Sequence, residues 1–259
     1  MESKFVLYFI VPHFQSRCNV LEYKRVMKMK IIVPIMAKNK TEAAVQAAAL
    51  RENPGADWVE LRHDPLPAAD WRDTLTAVRA AVGDKPLIVT IRTSREGGLA
   101  DISVPDYAAA CGMLLETGGV DYLDVEFSAG EAVLPLTDAA HRAGAKVIYS
   151  CHHFEGTPAT REMVDTLLAM EGGDIAKLAV MPHCAADAAR LLEATAMAAA
   201  QMPHTPLITM SMGALGAVTR VCGGAFGSMA TFGTAGRASA PGQPDAALLR
   251  RALHLLEEI

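Results

Sequence analysis

Lys146-Val147-Ile148-Tyr149-Ser150-Cys151, then an amphipathic stretch over 160–171 that stops at Gly172-Gly173, then Asp174-Ile175-Ala176-Lys177-Leu178-Ala179-Val180-Met181, reads as strand, helix and second buried strand. Short apolar runs rich in β-branched residues suit strands, and the glycine pair is a helix stop. The alternation extends both ways from this unit. Strands are expected at 31–36, 58–62, 87–92, 122–126, 146–151, 175–180, 207–211 and 226–232. Helices are expected at 41–52 with Thr41 as N-cap, at 106–117 ending on Gly118-Gly119, and at 160–171, 185–202 and 245–258. Eight strands with helices between them require a parallel sheet with right-handed crossovers, and closure into a single (β/α)8 TIM barrel is the expected α/β architecture. The chain length of 259 residues sits near the roughly 250 typical of such barrels. A doubly wound open sheet is the rival, weakened by the absence of a G-x-G-x-x-G turn after the first strand.

The barrel is expected to occupy 29–259 as one domain. Residues 1–28, rich in aromatic residues and poor in alanine, read as an N-terminal extension, either a covering hairpin or a loosely attached tail. Their apolar run at 5–12 ends at Pro12 and is too short for a bilayer span, which needs about 20 residues. A basic leader and small-residue cleavage site are poorly formed, so no signal peptide is expected. A net charge of −5 without a basic stripe argues against nucleic acid, and no membrane partner is expected. The five cysteines, at 18, 111, 151, 184 and 222, are odd in number and never in a C-x-x-C pair. That pattern suits reduced thiols and a cytoplasmic location.

Lys177 is the chemical outlier. After Lys85 the chain holds nine arginines and only two lysines, Lys146 and Lys177. A desolvated amine, unlike a guanidinium, can lose its proton and attack a carbonyl. The competing reading is a strand-end lysine snorkelling to water. Neighbouring strands change the balance, because polar residues at the C-terminal strand ends of a barrel face a shared mouth. Glu60 and Arg62 share a face, with Asp64 just beyond; Arg92 and Glu96 follow the third strand; Asp124 and Glu126 share a face on the fourth. His152 ends the fifth strand, Ser211 ends the seventh, and Arg220 follows it. Ion pairs rimming a barrel explain any one pair, but six consecutive strands explain less easily. The set suits a small polyhydroxylated keto acid: guanidinium for carboxylate, carboxylate for hydroxyl, amine for ketone.

Only one of His152 and His153 can enter the barrel, since adjacent strand residues point to opposite sides. With no H-x-H or H-x-x-x-H spacing, a metal site is not expected. An imidazole beside an imine-forming lysine suits proton abstraction and return near neutral pH. The loop 234–244, with Gly236, Ser239, Pro241, Gly242 and Gln243, reads as a lid. A phosphate cradle near Gly223-Gly224 is its competitor.

Seven motifs then fall in one order: Glu60-Leu61-Arg62; Thr90-Ile91-Arg92-Thr93 with Glu96-Gly97-Gly98; Asp124-Val125-Glu126; Ser150-Cys151-His152-His153-Phe154; Ile175 to Pro182; Met210-Ser211-Met212-Gly213; and Ala238 to Gln243. In this order they resemble the type I 3-dehydroquinate dehydratases, from about Lys30 to the C-terminus. The resemblance implies a (β/α)8 barrel, usually homodimeric, that acts in the shikimate pathway without metal or organic cofactor. It implies a hydro-lyase in which Lys177 forms an imine with the C3 ketone of 3-dehydroquinate. His152 then takes the C2 proton and returns it to the departing C1 hydroxyl, giving 3-dehydroshikimate and water by syn elimination. Arg220 would bind the carboxylate with Ser239 and Gln243; Glu60, Arg62 and Arg92 would hold ring hydroxyls; Glu96 would position His152. Two departures stand out. His153 occupies a place where the family commonly has Asp, which should tune rather than abolish activity, and 1–28 do not resemble the family's usual start. The alternatives are a class I Schiff-base aldolase or transaldolase, separable by assaying sugar-phosphate cleavage, and a non-catalytic metabolite-sensing barrel, marked by binding without turnover.

Overall fold

Side chains two apart on a strand share a face, and the apolar runs of this chain put different chemistry on their two faces. The computed structural model describes residues 29–236 and 238–258. Its strands are β1 (Lys30–Ile35), β2 (Trp58–Arg62), β3 (Leu87–Thr90), β4 (Tyr122–Glu126), β5 (Lys146–His153), β6 (Ile175–Val180), β7 (Leu207–Ser211) and β8 (Ala230–Phe232). They pair in the order β7-β6-β5-β4-β3-β2-β1-β8, every ladder parallel. A bridge between Leu207 and Ser228, with Met229 N donating to Leu207 O at 2.7 Å, closes the seam between the first and last members of that order. The result is a (β/α)8 barrel.

The outer strand face carries Val59, Leu61, Val89, Leu123 and Val125, packed beneath helices α1 (Lys40–Arg51), α2 (Trp71–Val82), α3 (Val104–Thr117), α4 (Pro135–Arg142), α5 (Thr160–Ala169), α6 (Ala185–Gln201), α7 (Ala217–Cys222) and α8 (Ala246–Glu257). The inner face is divided along the barrel axis. Ile32, Ile88, Ile148, Ile175 and Ile208 fill the lower interior, with Trp58 stacked on Tyr122 at 4.6 Å. One step further along the same strands the inner positions become Glu60, Thr90, Asp124, Ser150 and Lys177, all buried. The apolar floor shuts the barrel from below and leaves the polar layer a single opening at the C-terminal strand ends.

Several boundaries differ from the sequence expectation. Helix α1 is capped by Asn39, whose Oδ1 accepts from Glu42 N at 2.9 Å, and not by Thr41. Strand β3 stops at Thr90 because Arg92 O turns to Ala100 N (3.1 Å) and Arg92 N to Asp64 Oδ1 (3.4 Å) instead of a ladder. Strand β5 runs on to His153. The last strand holds only Ala230–Phe232; Gly223–Phe226 form a 3-10 turn tied by Ser228 N to Gly223 O. That turn leads into β8 and so lies at the N-terminal strand ends, opposite the mouth. The phosphate-cradle reading of Gly223-Gly224 is therefore set aside. Helices α2, α4 and α7 were not among the expected five. The extension expected at 1–28 lies outside the described residues. No helix of the described residues is long and apolar enough to cross a membrane.

Candidate active site

Lys177 sits at the third position of β6, on the inner face, opposite Ser150 of β5 in register. It is 4% exposed. Its Nζ donates to Asp124 Oδ2 at 2.7 Å, lies 3.7 Å from Glu60 Oε1, and sits 4.7 Å above the Phe232 ring. The buried amine thus stands as a hydrogen-bond donor to a carboxylate. Asp124 also accepts from Arg92 Nη2 at 2.6 Å and from Ser150 Oγ at 2.7 Å. Burial alone would raise its carboxyl, but Arg92, Lys177 and His152 outweigh burial and hold it far below the usual carboxylate range. Asp124 is therefore a fixed negative charge. On the Arg92 side, Nη1 also reaches Glu96 and Glu126, each at 3.2 Å, and the surrounding carboxylates keep the guanidinium charged despite its burial.

His152 follows Ser150 by two on β5 and therefore faces inward, while His153 lies on the other face, its Nε2 3.6 Å from Cys151 Sγ. His152 Nδ1 meets Glu96 Oε2 at 2.8 Å, which leaves Nε2 for the cavity. Glu96 also accepts from Ser128 Oγ. Burial, reinforced by the charges of Arg92 and Lys177, drives the imidazole well below its usual range, so it stands as a neutral base. Burial pushes the Glu96 carboxyl up to about 7, against the pull of Arg92.

Arg220, on α7, is 1% exposed, and burial lowers it to about 10. Among the described residues no carboxylate pairs with it. Nη2 donates to Pro241 O at 3.2 Å, Nη1 makes long contacts to Phe232 O (3.5 Å) and Met210 Sδ (3.7 Å), and Nε has no partner. A buried guanidinium whose protein partners are neutral is suited to pair with an anionic group. In the loop after β8, Gln243 Nε2 donates to Ser239 Oγ at 2.9 Å, and Ser239 N donates back to Gln243 Oε1 at 2.8 Å.

The nine residues to which the resemblance gives roles, Glu60, Arg62, Arg92, Glu96, His152, Lys177, Arg220, Ser239 and Gln243, all line one cavity. Phe154, Met210, Met212 and Phe232 add an apolar wall that sequence reasoning did not assign. Asp124 was placed on the inner face but given no partner; its contact with Lys177 depends on barrel stagger, which no local pattern encodes.

The profile described as type I 3-dehydroquinase matches residues 31–259. The chain is 40% identical over 233 residues to the 3-dehydroquinate dehydratase of Syntrophotalea carbinolica, covering 88% of this chain and 92% of that protein. It is 40% identical over 234 residues to the Bacillus licheniformis protein of the same name, with 88% and 92% covered. The crystal structure of a type I 3-dehydroquinate dehydratase from Clostridium difficile, with covalently modified comenic acid, superposes with a TM-score of 0.84 at 37% identity, covering 89% of this chain and 93% of that one. Matched through the whole barrel in sequence and in fold, the chain belongs to the type I 3-dehydroquinase family.

Proposed function

We propose that this protein dehydrates 3-dehydroquinate to 3-dehydroshikimate through an imine on Lys177. One observation carries the reading: a buried amine, a neutral imidazole with Nε2 towards the cavity, and a guanidinium with no carboxylate partner among the described residues line the same cavity. The substrate carboxylate pairs with Arg220, with Ser239 and Gln243 beside it. Glu60, Arg62 and Arg92 hold the ring hydroxyls. Lys177 Nζ gives up a proton, attacks the C3 carbonyl and expels its oxygen as water, leaving a protonated imine. That cation makes the C2 hydrogen acidic, and His152 Nε2 removes it to give an enamine. Charge now on the imidazolium is balanced by Glu96 at Nδ1. The enamine pair expels the C1 hydroxyl, which takes the proton from His152 and leaves as the second water. Hydrolysis of the imine frees 3-dehydroshikimate and Lys177, so one water is released overall.

The family resemblance further supports a place in the shikimate pathway, a cytoplasmic location and a homodimer. The direct test is turnover: purified protein given 3-dehydroquinate should produce the ultraviolet absorbance of a conjugated enone. Binding without that absorbance would favour a sensor, and cleavage of sugar phosphates an aldolase.

A further inference from the structure

Asp64 takes no part in the chemistry above, yet its buried carboxylate accepts four hydrogen bonds. Two come from Arg62, Nε to Oδ1 and Nη2 to Oδ2, both at 2.7 Å. The others come from Leu99 N at 3.1 Å and Arg92 N at 3.4 Å. We propose that Asp64 is a positioning residue of the substrate site, fixing the plane of the Arg62 guanidinium and locking it to the loop that carries Glu96. The inference rests on the dehydratase reading and deepens it.

The Arg62 and Asp64 side chains are 8% and 0% exposed. Desolvation offsets most of the attraction in such a pair, so stability alone is a poor reason to build one. Its distinctive product is geometry: a bidentate fork holds the guanidinium in one plane. With Nε and Nη2 engaged, Nη1 is the nitrogen left for a ligand in the cavity that Arg62 lines. The two backbone donors, Arg92 N and Leu99 N, flank Glu96-Gly97-Gly98. That turn is tight; a Cβ on Gly98 would lie 2.0 Å from Arg92 O. One carboxylate therefore ties the end of β2 to the segment whose Glu96 meets His152 at 2.8 Å.

The test is a double-mutant cycle on KM for 3-dehydroquinate, with melting temperature recorded for each variant. Asp64→Asn keeps the side-chain volume but presents an amide hydrogen where two donors converge, so the fork breaks. We expect KM to rise about tenfold or more in the wild-type background, and to change less than about twofold in an Arg62→Ala background, because the group being positioned is gone. Equal increases in both backgrounds, or no increase in either, overturn the inference. Should Asp64→Asn not fold, Asp64→Glu takes its place in the same cycle, since one extra methylene misplaces the fork while keeping the charge. An inactive wild type overturns the dehydratase reading and this inference together; an active wild type with a flat cycle overturns this inference alone.

Discussion

At Lys177 the sequence conveys burial and direction but not company. An apolar strand with one lysine in it, one residue out of phase with the helix-facing Ala176, Leu178 and Val180, is enough to aim the amine inward. Its partner is not legible, because Asp124 lies two strands away. Asp124 is level with Ile148 and Ile148 with Ile175, so the pair with Lys177 arises from a two-residue stagger set by the closed barrel. His152 is legible by the same alternation, and His153, facing away, is separated from it. If His152 is the proton shuttle and nothing more, His152→Ala should still form the imine while kcat drops by about 10²–10⁴, the usual worth of a positioned acid–base group. Rapid-quench trapping beside steady-state turnover separates the two steps, and near-normal kcat would require another base.

His63 carries a second residue-scale consequence. It lies fully buried between Arg62 and Asp64, edge-on to Trp71 at 5.8 Å, with neither ring nitrogen at hydrogen-bond geometry. Burial lowers it to about 4, opposed only in part by the nearby backbone of Leu61 and Trp71 and by Asp64. The unfolded chain therefore binds a proton that the folded chain refuses, and stability falls as pH drops from 6.5 towards 4. Over that window the loss is about 3 kcal/mol at 1.36 kcal/mol per pKa unit. Denaturant titrations at pH 7 and pH 4.5 should show a smaller loss for His63→Leu than for wild type; equal losses would remove His63 as the cause.

At the scale of elements, the long amphipathic helices and buried strands follow from periodicity, and the short pieces do not. Leu191, Ala194 and Ala198 give α6 a readable face, and the equally regular Leu75, Val78 and Val82 of α2 went unread; α7 spans six residues, too few turns for a period to show. Yet α7 delivers Arg220, and its side chain is met by the loop after β8. Pro241 O accepts from both Arg220 Nη2 and Gly213 N, and Gly242, at φ +74°, packs so closely that a Cβ would lie 2.3 Å from Gly213 O. The composition of that loop announces a flexible cover; only the structure shows the backbone seat at Gly213. Gly242→Ala should unseat the loop, raising KM several-fold through Ser239 and Gln243 while leaving the melting temperature within a few degrees. An unchanged KM would mean that the loop binds substrate without this seat.

Over the whole molecule, the eight-strand count and the polar strand ends settle both the barrel and which end is open. The seam between β7 and β8 and the split between apolar floor and polar layer emerge only on closure. The family profile matches residues 31–259, and we propose that 29–259 suffices as the catalytic domain. A chain begun at Met27 is expected to keep kcat within about twofold of the full chain, and a large loss would bring the first residues into the working enzyme. The central claim concerns a single nitrogen, and borohydride reduction reaches it directly. With 3-dehydroquinate present, reduction should leave one stable adduct whose mass and peptide map place it on Lys177, and Lys177→Ala should form none; an adduct on another lysine, or none on the active wild type, would contradict the account.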